Sequence, residues 1–129
     1  IIVMANLYEE FKKKSTPGEF MGVLFQSRDI AHLTHLITTS FSEHKALNKY
    51  YNSLLDLTDT LAETSFGALG RYKIVVPAST SAGDFSTHLK DLKKYIQSSR
   101  TVFTGSHLQN IIDEIVALID KTLYLLTLK

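Results

Sequence analysis

The chain of 129 residues contains no cysteine and no tryptophan, and its 14 basic residues almost balance its 13 acidic ones. Without cysteine no disulfide can form, so stability does not depend on the redox compartment, and a reducing cytoplasm is compatible with the composition. A net charge of +1 gives no overall electrostatic attraction to nucleic acid. No apolar stretch approaches the roughly 20 residues that a membrane-spanning helix needs. We therefore expect a cytoplasmic protein without a membrane partner.

Several signatures of catalysis and targeting are also missing. The chain has no Gly-rich phosphate loop, no nucleophile elbow and no Cys/His zinc spacing. The opening Ile1-Ile2-Val3-Met4 is short and has no basic n-region, which argues against a signal peptide. The longest basic run, Lys12-Lys13-Lys14, is typical of a solvated helix end. DNA binding is therefore expected to be absent or weak.

Apolar residues recur at helical spacing and predict four helices, roughly at residues 17–38, 41–67, 84–103 and 107–128. Each predicted helix begins at a side chain that can cap its first turn: Thr16 with Glu19, Ser40 with Glu43, Asp84 alone, and Ser106 with Gln109. Residues 71–83 interrupt the pattern, and a connection this long suits a crossover along a bundle. The sequence predicts a single all-α domain over residues 1–129.

The last predicted helix has an apolar surface wider than one stripe. Its first face comprises Leu108, Ile112, Ile115, Ile119 and Leu126, and three further residues widen it: Ile111, Leu118 and Leu125. A helix that is apolar over much of its circumference lies centrally or is covered by a second chain. We therefore expect two-fold dimers and larger closed assemblies.

Two imidazoles and two carboxylates fall within one segment of 32 residues, at His32, His44, Asp59 and Glu63. Asp59 and Glu63 are four residues apart and share a helix face. Imidazole and carboxylate together suit iron, manganese or zinc. The competing interpretation is that these are four solvated polar residues on two helices.

The same segment resembles the ferroxidase signature of the Dps family, the mini-ferritins also called DNA-binding proteins from starved cells. The resemblance lies in Ala31-His32-Leu33-Thr34-His35, in Ser42-Glu43-His44-Lys45-Ala46-Leu47, in Asp59-Thr60-Leu61-Ala62-Glu63 and in Gly67-Ala68-Leu69-Gly70. The spacings of 12, 15 and 4 residues from His32 through His44 and Asp59 to Glu63 match the family frame. The family usually has Trp and Arg where this chain has Leu33 and Thr64. These departures bear on oxidation rate more than on fold.

The resemblance implies a ferritin-like four-helix bundle with a long crossover between its second and third helices. It implies Fe(II) oxidation by hydrogen peroxide or oxygen at an intersubunit di-iron site, where Zn or Mn could substitute. His32 and His44 of one subunit, with Asp59 and Glu63 of its two-fold mate, would be the metal-binding and catalytic residues. The family stores the ferric product in a dodecameric shell. The alternative is a non-catalytic oligomeric protein of the same fold with a vestigial metal site.

Other polar residues near the four are open to two interpretations. His35, one turn past His32, is either a third imidazole ligand or a residue on the surface or beside the site, and Asp56 is either a supporting carboxylate or a solvated one. Tyr51 lies between His44 and Asp59 and is predicted to be a core or interface residue. His88 and His107 are predicted to face solvent or to cap helices.

Overall fold

The computed structural model describes residues 15–129, and this part of the chain forms four α-helices and no β-strand. The helices are α1 (Pro17–Ile37), α2 (Phe41–Leu69), α3 (Phe85–Ser99) and α4 (Ser106–Leu125), with one 3-10 turn at Arg100–Val102. The prediction of an all-α chain with four helices is confirmed. None of the described helices is long and apolar enough to cross a membrane. The opening residues and the basic run at 12–14 lie outside the described part.

Two of the three predicted capping boxes lie at the starts of α1 and α2, and they form completely at α1 and by half at α2. At α1 the box is complete, because the Thr16 hydroxyl accepts from the Glu19 N–H and the Glu19 carboxylate accepts from the Thr16 N–H. At α2 only half of the box forms. The Ser40 hydroxyl accepts from the Glu43 N–H at 3.2 Å, but the Glu43 carboxylate takes a hydrogen bond from the Thr38 hydroxyl instead. The turn between α1 and α2 is thereby closed by side chains on both sides.

The third predicted box, at Ser106, is wrong. The helix α4 begins at Ser106 itself, and its N-cap is Gly105, whose φ of 110° suits glycine. The Gln109 amide crosses the turn instead and donates to the carbonyls of Arg100 and Phe103 at 2.8 and 2.7 Å. Since these carbonyls are bound within the turn, α3 ends at Ser99 rather than at the predicted residue 103.

The connection between α2 and α3 is a crossover that runs the length of α1. The crossover follows α1 from its first turn toward its end. Near the start of α1, Lys73 lies against Gly18 and Val75 against Gly22. Farther along, the Ala78 carbonyl accepts from the Gln26 side chain, and the Ala82 N–H donates to the Thr34 hydroxyl. Hence α2 and α3 run in the same direction, and α1 and α4 run opposite to them. Along the chain, the four helices α1 to α4 therefore run up, down, down, up.

Two glycines one helical turn apart let the crossover lie directly on α1. A Cβ at Gly18 would lie 2.0 Å from the carbonyl oxygen of Lys73, and one at Gly22 would lie 2.0 Å from that of Val75. No side chain fits at either position without moving the crossover backbone. The glycine pair therefore determines where the long connection packs.

The core lies between the four helices, and each of them contributes fully buried side chains. Its largest members are Tyr50, Tyr95, Phe20, Phe85, Phe103 and Met21. On α4 the predicted face is buried at Leu108, Ile112, Ile115 and Ile119. Its fifth member, Leu126, lies just past the helix end and is half-buried, and Tyr124 is 62% exposed. The residues that widen this face, at 111, 118 and 125, are only half-buried in a single chain.

Candidate functional site

Three histidines and one tyrosine form a cluster of rings where α1 ends and α2 begins. The His35 and His44 imidazoles are stacked with their centroids 3.7 Å apart, and His32 is stacked on Tyr51 at 4.5 Å. Tyr51 also meets His35 edge-on at 5.4 Å. We call His32, His35, His44 and Tyr51 the histidine cluster. The two histidines that the sequence singled out as ligands therefore lie in one place.

His35 and His44 are joined by a reciprocal pair of hydrogen bonds. The His35 Nδ1 lies 2.7 Å from the His44 carbonyl oxygen, and the His44 Nδ1 lies 2.8 Å from the His35 carbonyl oxygen. A carbonyl oxygen can only accept, so each Nδ1 carries a proton and donates it. In the neutral imidazole the other nitrogen, Nε2, then keeps a lone pair that can bind a metal ion.

His35 is therefore not a solvated surface residue. Its side chain is buried, with 8% exposed, and it packs between His44 and Tyr51. His32 and His44 are half-buried. Leu33, which follows His32, is exposed on the surface of α1.

The acidic pair lies far from the histidine cluster within one chain. Asp59 and Glu63 follow His44 by 15 and 19 residues on α2, which at about 1.5 Å per residue places them about 22 and 28 Å along the helix. At about 100° per residue, both lie within about 100° of His44 around the axis. The described residues contain no group of three or more His, Asp or Glu side chains arranged to hold a metal ion. A site that uses all four residues would have to form between chains.

Both carboxylates of the pair are exposed. Within residues 15–129 neither one takes part in an ion pair, in contrast to Asp113 and Asp120, which bind Arg100 and Lys93. Asp56, one turn before Asp59, is exposed as well. The acidic face of α2 is therefore open to a cation or to a second subunit.

A second polar group lies in the middle of the core. The Ser27 hydroxyl is 2.7 Å from the Tyr50 hydroxyl and 2.8 Å from the His88 Nε2. These residues come from α1, α2 and α3, so the network ties three helices together. The prediction that His88 faces solvent or caps a helix is wrong, because its side chain is only 3% exposed.

Burial changes the acid–base properties of this network. It lowers the pKa of His88 from an ordinary 6.5 to about 4, because the imidazolium would lose its hydration without gaining a counter-charge. It also raises the pKa of the Tyr50 hydroxyl, an effect that the hydrogen bond with Ser27 opposes. The His88 Nδ1 is buried with no hydrogen-bond partner within the described structure. His88 is therefore a neutral core residue near neutral pH.

The position of His88 could have been found from the sequence. Phe85 and Leu92 define the buried stripe of α3, and His88 lies three residues after the first and four before the second. That spacing places His88 on the same face. The sequence gives no sign of its partner Ser27, because that contact depends on how α1 packs against α3.

An exposed apolar surface adjoins the histidine cluster. Leu36 and Ile37 at the end of α1 are each 64% exposed, and Phe41 at the start of α2 is 73% exposed. Large apolar side chains in one exposed group often mark an interaction surface. Subunit contacts near the histidine cluster would cover them.

The fold and the ring cluster define an α-helical bundle with a group of histidines at one end. A family model described as "Family of unknown function (DUF5856)" matches residues 35–126, and the chain belongs to that family. The match includes His35, His44, Asp59 and Glu63. The chain is also similar to a protein of Enterobacteria phage T4, named "Uncharacterized 14.6 kDa protein in mobD-ri intergenic region". That relative is 26% identical over 125 residues, which cover 95% of this chain and 96% of its own length. No solved structure matches the chain.

Proposed function

We propose that this protein is a Dps-like, ferritin-like protein that binds and oxidises Fe(II) between two subunits. His32 and His44 of one subunit and Asp59 and Glu63 of its two-fold mate would bind the iron. Each pair of Fe(II) ions would give two electrons to hydrogen peroxide, which with two protons becomes two water molecules. Oxygen is the other candidate oxidant. The ferric product would be stored inside a closed shell of subunits, with a dodecamer as the expected form.

The helix order supports the fold part of this proposal. Ferritin-like bundles have one long crossover, between their second and third helices. Here the connection from Gly70 to Asp84 occupies that place and follows α1 from end to end. An up, down, down, up order follows from such a connection.

The separation of His44 from Asp59 and Glu63 along α2 is the observation that carries the functional part. A two-fold axis perpendicular to α2 near Asn52, midway between His44 and the acidic pair, would place the histidines of each chain beside the carboxylates of the other. Asn52 is exposed, as are Asp59 and Glu63, so this face of α2 is open to pairing. Two equivalent sites per dimer would follow from the symmetry.

The donor atoms suit iron. The His44 Nδ1 is engaged with a carbonyl, so Nε2 is the nitrogen left for a metal ion, and the Asp59 and Glu63 carboxylates form no ion pair within the described residues. Imidazole and carboxylate ligands suit Fe, Mn and Zn. Metal binding would also relieve the repulsion between the two neighbouring carboxylates.

One observation favours a second candidate function. Leu33 and Thr64 stand where the Dps family usually has Trp and Arg. The second candidate is therefore a non-catalytic oligomeric protein on the same bundle. In that case the histidine cluster would serve only to join α1 to α2.

Mixing two inactive variants tests the intersubunit site. His32→Gln should disable the histidine half and Asp59→Asn the acidic half, so each variant alone should lose Fe(II) oxidation. In a heterodimer one site carries both defects and the other carries none. Random pairing should therefore restore about a quarter of the sites. His107→Gln and Glu114→Gln, both at exposed positions on α4 and outside the proposed site, are the controls and should keep parent activity.

The mixture is made by refolding the two variants together, and ferric absorbance is followed after peroxide is added to anaerobic Fe(II) protein. Recovery in the mixture but not in either variant is the expected result. If the parent oxidises iron but the mixture does not recover, the site lies within one subunit. If the parent itself does not oxidise Fe(II) in a saturable way, the non-catalytic candidate replaces the proposal.

A further inference from the structure

We infer that His35 is a positioning residue for His44. Its backbone carbonyl accepts from the His44 Nδ1–H, and its side chain keeps the His44 ring in place against that carbonyl, so that Nε2 is free for the metal ion. This inference rests on the proposed function, since it concerns the same site. The geometry behind it is the reciprocal pair of hydrogen bonds and the stacked rings, 3.7 Å apart, that join the two residues.

The His35 carbonyl, which binds the His44 ring, has no hydrogen-bond donor within its own helix. The helix α1 ends at Ile37, and its last N–H bond runs from Thr38 to Thr34 at 3.0 Å. Carbonyls in the last turn of a helix lack an intrahelical donor, and that of His35 is among them. The His44 Nδ1–H satisfies this carbonyl, so the end of α1 selects one tautomer of His44.

The side chain of His35 completes the arrangement from the other direction. Its own Nδ1–H binds the His44 carbonyl, which anchors the first turn of α2, and its ring covers one face of the His44 ring. The Phe41 ring lies nearly parallel to His44 as well, but at 6.3 Å it is too far for close contact. Loss of the His35 side chain would leave the His44 ring free to turn away from its carbonyl.

His32 is held differently. Its ring is stacked on Tyr51 at 4.5 Å, and it forms no ring hydrogen bond within residues 15–129. A change at His35 should therefore alter the tautomer of His44 and leave that of His32 as it was. This contrast separates a specific positioning effect from a general loosening of the bundle.

Two substitutions at position 35 distinguish positioning from direct metal binding. In His35→Asn the amide nitrogen can take the place of Nδ1 and donate to the His44 carbonyl, but no atom replaces Nε2. In His35→Leu both functions are lost. A positioning residue should therefore be rescued by Asn, whereas a metal ligand should not. His107→Leu, at an exposed position, is the control.

The experiment has one arm without metal and one with Co(II) as the probe. Proton–nitrogen correlations of the imidazole rings report the tautomer of each histidine in the folded apo protein. Partners that orient a metal-binding histidine typically change affinity by about 10- to 100-fold. We expect His35→Leu to mix the tautomers of His44 and to weaken Co(II) binding by that factor. His35→Asn should stay close to the parent in both arms.

Each alternative outcome has one meaning. If His35→Leu keeps both the His44 tautomer and the Co(II) affinity, the inference is wrong. If Leu and Asn weaken Co(II) binding equally while the His44 tautomer is unchanged, His35 is a ligand and not a positioning residue. If the parent shows the Nδ1–H tautomer of His44 but binds no Co(II), the proposed function fails, while the arm without metal still decides what His35 does to His44.

Discussion

Acid should destabilise this protein through one buried histidine, His88. In the folded protein burial lowers its pKa to about 4, whereas the ordinary value of 6.5 applies in the unfolded chain. Between these two pH values the unfolded chain binds a proton that the folded chain does not. Stability is therefore complete above about pH 6.5 and falls as the pH drops toward 4, because unfolding takes up a proton in that range.

The expected size follows from the same two values. Each pKa unit corresponds to about 1.4 kcal/mol, so the full difference amounts to roughly 3 kcal/mol. Between pH 7.5 and pH 4.5 the free energy of unfolding should fall by about 2 to 3 kcal/mol through His88 alone. A loss of this size is a large part of the total stability of a small domain.

Urea unfolding at the two pH values measures the effect. Carboxylates also titrate in this range, so the quantity to compare is the pH-dependent loss in the parent minus that in His88→Gln. Gln can still contact Ser27 but does not titrate. The difference should be about 2 to 3 kcal/mol, and His107→Gln should lose stability as the parent does. Equal losses in the parent and in His88→Gln would refute the assignment of His88 as a neutral core residue.

Four further results are expected. Gly22→Ala should lower the free energy of unfolding by about 2 kcal/mol or more in urea titrations, because its Cβ would lie 2.0 Å from the Val75 carbonyl oxygen. By contrast Gly67→Ala, with no atom within 4 Å of its Cβ, should raise it by about 0.5 kcal/mol or more. The double variant Asp59→Asn and Glu63→Gln should lose Fe(II) oxidation without a lower apo melting temperature, and Fe(II) should raise the melting temperature of the parent only. Light scattering at micromolar concentration should show a dimer or a larger assembly, and a monomer with metal present would contradict this.

Local signals in the sequence predicted all four helices and where α1 and α2 begin. The Thr16 and Glu19 pair and the apolar spacing placed the start of α1 correctly, and Gly70, with a φ of 88°, ends α2 as a helix-terminating glycine does. The end of α3 was predicted four residues too late. Its position depends on the turn that follows, where the Gln109 side chain binds the carbonyls of Arg100 and Phe103, and the apolar spacing of α3 does not show this contact.

At the candidate site, too, one part could be predicted from the sequence and another could not. Residue types and spacing were enough to single out His32 and His44, and the structure brings these two together. That His35 and His44 exchange hydrogen bonds could not be predicted, because it requires the end of α1 to meet the start of α2 in one particular register. The meeting of the histidines with Asp59 and Glu63 stays a prediction, since it depends on a second chain.

The most direct test of the proposed iron site is a crystal of the protein soaked in Fe(II) and measured on both sides of the iron absorption edge. We expect anomalous density between His32 and His44 of one subunit and Asp59 and Glu63 of its two-fold mate, at two equivalent places in each dimer. Density at other residues, or none at these four in a crystal that contains the dimer, would contradict it.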